Sequence, residues 1–150
     1  MTIHKVKVQA LAFSPNEKYL VSLGGEDDNS IVLWDLKTGA AVSGSTASKG
    51  STGLAHCLKY SNHDDTVFIS AGNSNIRVWK IDEGDLRVHA TDCQSGQIKR
   101  VVKNILVDNK DEFFYCGTTS GDVLQIQMKN NLFKSLGPAK TKVFAFSLLK

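Results

Sequence analysis

The chain has 150 residues and a mass of 16.4 kDa, the size of one ordinary domain that can bury a hydrophobic core. Hydrophobic residues make up 41% and charged residues 22%, which is typical of a folded globular protein and not of a disordered one. The net charge is only +3, from 18 basic and 15 acidic residues interspersed along the chain, so the composition gives no support to nucleic-acid binding.

The apolar runs and the cysteines indicate the cellular compartment of the protein. The longest apolar runs are four residues, and the polar start MTIHKVK lacks the apolar segment of a secretory signal. We therefore expect no membrane span and an intracellular location. Cys57, Cys93 and Cys116 are odd in number and include no Cys-x-x-Cys pair, which is typical of reduced, mostly buried thiols.

The first segment with regular patterning runs from Val8 to Leu36 and reads VQALAFSPNEKYLVSLGGEDDNSIVLWDL. It contains an alternating strand, the polar turn SPNEK, an apolar strand that ends in glycine, a second turn, and a strand that closes on Trp34. A weaker strand, GAAVSGS, follows and has the polar character of an outer edge strand. Four short strands are therefore predicted in about 40 residues.

The same order of elements returns twice, in residues 55–81 and 102–128. The polar turns SNHDD and DNKDE take the place of SPNEK, and the weaker fourth strands are LRVHATD and LFKSLG. Bulky residues recur at matching places, at intervals of 47 for Phe13, Tyr60 and Val107, and of 45 and 47 for Trp34, Trp79 and Ile126. Self-similarity at this period predicts an all-β repeat architecture.

The motif LAFSPNEKYLVSLGG followed by IVLWD resembles a WD repeat, the unit of a β-propeller blade. The resemblance implies four hydrogen-bonded side chains in a blade, and the matching positions of the first repeat are His4, Ser22, Asp28 and Trp34. Asp35 completes the Trp-Asp pair. Ile3 stands where a glycine normally precedes the histidine, and the turn that holds Asp28 is slightly long.

The later repeats match less well. The second keeps Ser70 and Trp79 but has Lys80 after the tryptophan, Asn73 near the turn-acid position and Ser51 where the histidine belongs. In the third repeat Ile126 replaces the tryptophan and no histidine is present. Three segments are not required by the general WD-repeat pattern: SAGNSNIRVW, CQSGQIKR and GTTSGDVLQI. They resemble, more specifically, the WD-repeat proteins of the ciliary axoneme.

This resemblance predicts about three four-stranded antiparallel blades, with repeats at about residues 4–44, 51–92 and 98–137. Residues 138–150 are expected to open a further blade or to form a divergent tail. Known propellers close with four to eight blades, so three units cannot make a ring. We therefore expect part of a larger propeller, or a short chain whose open sheet edges invite association. Trp34 and Trp79 are expected to be buried between neighbouring blades.

Three groupings could carry ligand chemistry, but each is better explained by structure. His56, Cys57 and His63 offer zinc ligands, yet adjacent strand residues point to opposite faces. The acidic stretch at residues 26–30 lacks the spaced ligands and distal glutamate of a calcium-binding loop. TTSGD at residues 118–122 has one glycine and no following lysine, which is typical of a turn and not of a phosphate site.

His4, Ser22 and Asp28 have the residue types of a hydrolytic triad. The WD resemblance instead implies that they orient the Trp34 indole and tie the strands together. We therefore predict no catalytic, cofactor-binding or metal-binding residues and no cofactor.

The function predicted is that of a non-catalytic scaffold and protein-interaction module. By resemblance, the full-length protein would be a microtubule inner protein that stabilises the doublet microtubules of the axoneme in motile cilia and flagella. Its partners would be tubulin and other axonemal microtubule inner proteins of the cytoskeleton, with no nucleic acid and no membrane. Two alternatives stay open: a generic WD-repeat adaptor in a cytoplasmic signalling or ubiquitin-ligase complex, and a propeller enzyme with reactive groups at its central channel.

Overall fold

The computed structural model describes residues 3–48, 53–94 and 98–136, with side chains described up to residue 133. The described part of the chain forms twelve β-strands and no helix, so it holds no helix that could cross a membrane. The predicted further blade or tail at residues 138–150 lies outside the described residues.

The twelve strands form three antiparallel four-stranded sheets, each a meander in chain order. Blade 1 contains β1 (Val8–Phe13), β2 (Tyr19–Gly24), β3 (Ser30–Asp35) and β4 (Ala40–Thr46). Blade 2 contains β5 (Ala55–Tyr60), β6 (Val67–Gly72), β7 (Ile76–Ile81) and β8 (Val88–Asp92). Blade 3 contains β9 (Val102–Val107), β10 (Phe113–Thr118), β11 (Val123–Gln127) and β12 (Leu132–Leu136). The prediction of an all-β protein with three four-stranded antiparallel blades is confirmed.

The turns repeat their backbone conformation from blade to blade. The residue with positive φ before the third strand of each blade is Asn29 (37°), Ser74 (53°) or Gly121 (87°). The corresponding residue before the fourth strand is Gly39 (70°), Leu86 (58°) or Asn131 (56°). Glycine and asparagine suit this left-handed region, whereas leucine occupies it at a cost.

Within the described residues the hydrophobic core consists of two clusters, one in each interface between blades. The first cluster joins Val21 and Leu33 of blade 1 to Phe68 and Trp79 of blade 2. The second joins the opposite side of blade 2 to blade 3, through residues that include Ile69, Ala71, Ile105, Phe114 and Ile126. Blade 2 is therefore buried on both faces, and for that reason its inner strands read as nearly continuous apolar runs.

The two tryptophans differ in burial, contrary to the expectation that both would be buried between blades. Trp79 is 0% exposed and stacks on Phe68, with ring centroids 5.7 Å apart and planes 4° from parallel. Trp34 is only half-buried. Its side chain lies on the face of blade 1 that points away from blade 2, and the described residues supply no blade on that side.

Candidate functional site

Four side chains of blade 1 form a continuous hydrogen-bonded set, and they are the four that the WD pattern picks out. The Trp34 indole Nε1 donates to Ser22 Oγ at 2.9 Å, and Ser22 Oγ lies 2.7 Å from His4 Nε2. The other imidazole nitrogen, Nδ1, lies 3.1 Å from Asp28 Oδ2. The backbone N–H of Lys5 donates to the same carboxylate oxygen at 3.1 Å. The set joins the segment before β1 to β2, β3 and the turn between them.

The direction of these hydrogen bonds follows from the Asp28 carboxylate, which as an anion can only accept. His4 Nδ1 therefore carries the proton, and in the neutral ring Nε2 accepts from the Ser22 hydroxyl. Burial by itself would raise the pKa of Asp28, but hydrogen bonds from the Lys5 backbone and His4, with that from Ser30, hold the pKa below its usual value. The carboxylate therefore stays ionised and keeps the imidazole in one tautomer.

Serine, histidine and aspartate have the connectivity of a hydrolytic triad here, but the serine is poorly placed for attack. Ser22 is 2% exposed, and its Oγ already accepts the indole N–H of Trp34. A nucleophile needs a free approach for a substrate carbonyl and nearby donors for the developing oxyanion. The geometry instead suits a buried polar network that fixes three parts of the blade relative to one another.

Asp35 lies apart from this set, at the end of β3. Its side chain accepts a hydrogen bond from the backbone N–H of Lys37 at 2.9 Å, and its backbone carbonyl accepts one from Gly39 at 2.8 Å. It therefore shapes the turn into β4, the common role of an aspartate that caps its own turn.

In blade 2 the structure brings together only part of the expected set. Trp79 Nε1 donates to Ser70 Oγ at 2.8 Å, as in blade 1. The expected counterpart of the histidine, Ser51, lies outside the described residues. His56 instead places Nε2 3.0 Å from Asn73 Oδ1, although it is a residue of strand β5. A β-bulge at His56 shifts the register between β5 and β6 there, a displacement that sequence spacing alone does not reveal.

Blade 3 lacks the serine–tryptophan hydrogen bond and contains an arginine–aspartate pair instead. Cys116 and Ile126 stand where the serine and tryptophan stand in the other blades, so both partners of that hydrogen bond are lost together. Arg100 Nε donates to Asp122 Oδ2 at 2.8 Å, and the Thr118 hydroxyl donates to the other carboxylate oxygen. Burial would raise the pKa of Asp122, but these two partners hold it below the usual value. Sequence reasoning assigned residues 118–122 to a turn and missed this arginine–aspartate pair.

Arg77 is a second residue that sequence reasoning missed. It is 1% exposed, yet its guanidinium donates to Asp92 Oδ1 at 2.6 Å and to the backbone carbonyl of Ala47 in blade 1 at 3.1 Å. The sequence does contain a signal for this role, an arginine inside a run of apolar strand residues, because a buried cation must have hydrogen-bond partners. Its contact with the end of β4 ties blade 2 to blade 1.

The ligand candidates from the sequence do not come together. Within residues 3–48, 53–94 and 98–136, no three His, Cys, Asp or Glu side chains are grouped closely enough to hold a metal ion. His63 lies at an exposed turn, while Cys57 packs in the second core cluster.

The three cysteines are free thiols that converge on the second core cluster despite their separation in the sequence. Burial raises the pKa of Cys57 and of Cys93 to about 12, and that of the fully buried Cys116 well above its ordinary value. Such thiols stay protonated at neutral pH and are therefore weak nucleophiles and weak metal ligands.

A cavity of about 200 Å³ lies between blades 2 and 3, lined by residues that include Asn75, Cys93, Arg100 and Leu124. Pockets for small organic ligands are usually larger, from about 300 Å³ upward. The cavity is thus better understood as a packing gap at a blade interface than as a substrate pocket.

Comparison with protein families and solved structures agrees with this architecture. Residues 1–35 match the model of the WD domain, G-beta repeat. In overall fold the chain is similar to the Cps50 (Swd1) β-propeller domain of Myceliophteria thermophila, with a TM-score of 0.72 and 16% sequence identity. The superposition covers 91% of this chain and 43% of that one.

Among characterised proteins, the chain is similar to the cilia- and flagella-associated protein 52 of two organisms. It is 50% identical to the Chlamydomonas reinhardtii protein over 143 residues and 46% identical to the Homo sapiens protein over 142 residues. Each alignment covers 95% of this chain but only 23% of the relative. The chain therefore spans about a quarter of the length of the relatives it matches.

Proposed function

We propose that this chain, which consists of WD-repeat blades of a β-propeller, acts within a protein-interaction scaffold of the axoneme of motile cilia and flagella. In that role the complete propeller lies inside the doublet microtubules, binds tubulin and other microtubule inner proteins, and stabilises the doublet. The observation that carries the proposal is the 50% identity over 95% of the chain to a protein named for cilia and flagella.

The polar groups of the blades support a role without catalysis. Three clusters, around His4, Arg77 and Asp122, use their charged and polar atoms to join strands and blades. Groups already paired inside the fold are not available to bind and activate a substrate. Function then depends on the surfaces that the blades present, as is usual for a fold that hosts many activities.

The turns between the first and second strands of the blades form the surface best suited to a protein partner. They are exposed at residues 16–18, 62–64 and 109–110. Hydrogen bonds join neighbouring turns: Asn16 donates to Asp65 at 2.9 Å, and Asn62 donates to Asp111 at 2.8 Å. A row of linked turns is firm enough to dock on a repeating partner surface, such as the wall of a microtubule.

Salt extraction of axonemes tests the proposal. Tubulin is strongly acidic, so a mildly basic protein could adhere to it through charge alone, and such adhesion fades as salt screens exposed charges. A specific inner scaffold also uses apolar and hydrogen-bonded contacts, and its release requires the doublet itself to come apart. The protein that carries these residues should stay with the doublets through moderate salt and leave with tubulin. Release at low ionic strength with soluble matrix proteins would contradict the proposal.

A generic WD-repeat adaptor of cytoplasmic signalling or ubiquitin-ligase complexes is the alternative. Purification from matched ciliated and non-ciliated cells separates the two functions. The axonemal scaffold should be recovered from the ciliated cells with tubulin and with partners that the non-ciliated cells lack. Recovery of the same partners from both kinds of cell would favour the adaptor.

A further inference from the structure

The side chain of Asn75, at the interface between blades 2 and 3, has only part of its hydrogen-bonding capacity used. Asn75 is 5% exposed, and its Nδ2 donates to the backbone carbonyl oxygen of Gly53. Its Oδ1 is buried, and no donor among the described residues pairs with it. The amide cannot be turned round, because Oδ1 would then face the carbonyl oxygen of Gly53, and both atoms only accept. Asn75 Oδ1 is therefore a buried acceptor that lacks a donor from the described part of the chain.

Asn75 also lines the cavity of about 200 Å³ between blades 2 and 3. Buried polar groups of folded proteins nearly always have a hydrogen-bond partner, either in the protein or in ordered water or an ion. A small donor inside this cavity would lie beside Asn75 and could supply the missing hydrogen bond. The other residues of the lining indicate which kind of donor fits.

The cavity suits a neutral donor better than an ion. Two charged residues line it, Asp92 and Arg100, and each is already paired within its own blade. Asp92 Oδ1 accepts from Arg77 at 2.6 Å, and Arg100 Nε donates to Asp122 at 2.8 Å. The charges around the cavity therefore cancel in pairs. A water molecule takes up about 30 Å³ in the liquid, so the cavity has room for roughly six of them.

The interface between blades 1 and 2 has a guanidinium group at the equivalent place. Arg77 and Leu124 hold the same position in their blades, because each is the cross-strand partner of the residue at the serine position. Arg77 reaches back to the carbonyl oxygen of Ala47, just after β4 of the preceding blade. Leu124 has no polar atom in its side chain, and it lines the cavity together with Asp92, the last residue of β8. At this position the second interface therefore has no side-chain donor of its own.

We propose that ordered water fills this cavity, that one molecule donates a hydrogen bond to Asn75 Oδ1, and that this water joins blade 2 to blade 3. Water is neutral and both donates and accepts, so one molecule can pair with Asn75 and with other polar groups of the lining, such as Arg100 and Ser74. Hydrogen bonds through water are nearly as favourable in enthalpy as direct ones. The inference concerns how the blades are held together and does not depend on the axonemal role proposed above.

A high-resolution crystal structure of the protein that carries these residues tests the proposal. It should show a water oxygen at hydrogen-bond distance, about 2.7–3.2 Å, from Asn75 Oδ1. Density for an organic molecule in the cavity would contradict the proposal. So would walls that have closed on each other, or a cavity without ordered solvent beside Asn75.

Xenon distinguishes a hydrated cavity from a dry one. Apolar cavities of similar size stay dry and bind xenon. Crystals of the same protein under xenon pressure should therefore show no xenon between blades 2 and 3, because water bound to the polar lining already occupies the space. Xenon bound in this cavity would show that the gap is dry and would overturn the proposal.

Substitution of Asn75 tests whether its amide holds the water. Asn75→Leu removes the acceptor at similar volume, and the water beside residue 75 should be lost. Asn73→Leu is the matched control, because Asn73 lies in the same turn and pairs with His56, with 3.0 Å between Oδ1 and Nε2. This variant should keep the water. Circular dichroism identifies a variant that fails to fold, and Asn75→Val then replaces Asn75→Leu. Solvent that is unchanged in a folded Asn75 variant would show that Asn75 does not hold it, and the proposal would be wrong.

Discussion

Arg77 shows how much one buried side chain contributes to holding two blades together. Its guanidinium contacts Asp92 in its own blade and backbone carbonyls at the end of β4 in blade 1. Arg77→Lys retains the charge, but an ammonium group cannot form the same planar fork of donors. We expect the free energy of unfolding to fall by about 1–3 kcal/mol, the usual cost of leaving a buried acceptor unpaired.

The control for Arg77 is Arg87→Lys. Arg87 pairs with Asp85 at 3.4 Å, but both side chains are at least half exposed. Exposed pairs contribute little, so the change should stay below about 0.5 kcal/mol. Urea unfolding of both variants measures the comparison, and equal losses would show that Arg77 does not join the blades.

The two tryptophans provide a second comparison at the scale of single residues. Trp79→Ala removes a fully buried ring and should cost about 3–5 kcal/mol. Trp34→Ala should cost clearly less, because the half-buried ring already contacts water in a single chain. Denaturant unfolding of both variants measures the two costs. An equal cost for Trp34 would mean that its face is covered in the single chain.

Acid sensitivity of blade 1 follows from Asp28. Its pKa is lower in the folded chain than in the unfolded chain, so its ionised form stabilises the fold above the unfolded value, about 3.9. That contribution is lost as the pH falls through the folded pKa. Asp28→Asn should therefore be less stable than the original chain at pH 6, and the difference should shrink below about pH 4. A difference that does not change with pH would assign Asp28 a role independent of its charge.

At the scale of the strands, close approach limits which residues can stand in the repeated positions. A Cβ built on Gly72 would lie 1.9 Å from the backbone carbonyl oxygen of Leu54, where β6 passes β5. Gly72→Ala must therefore push two strands apart, and we expect a loss of about 1–3 kcal/mol. Gly44→Ala is the matched control, because its nearest neighbour would be the Ile31 carbonyl oxygen at 3.6 Å, an ordinary contact. Thermal unfolding that ranks the two variants equally would contradict this account.

The strands themselves could be predicted from the sequence, but some of the contacts between them could not. Alternation of apolar residues and turn chemistry are local properties, so three four-stranded blades could be predicted from the recurrence of Phe13, Tyr60 and Val107. The pairing of His56 with Asn73 could not, because a bulge displaces the register of β5 by one residue. The contacts of Arg77 with the end of β4 depend on how two sheets pack against each other. The spacing of residues within one repeat does not determine that packing.

At the scale of the whole molecule, the order of the blades determines how stability is distributed. Chains built from repeats behave as a line of units, in which each unit is stabilised by its own strands and by its neighbours. Among the residues that the structure describes, blade 2 has a core cluster on each face, whereas blades 1 and 3 each have one.

Amide hydrogen exchange should therefore divide the chain by position. The slowest exchange should lie in β6 and β7, because both strands are central in the sheet and buried on both faces. The outer strands β4 and β8 should exchange fastest, since each forms one edge of its sheet. Mass spectrometry of amide exchange in the purified chain measures both effects. Uniform protection across the three blades would show that they unfold as one unit, contrary to a line of separately stabilised units.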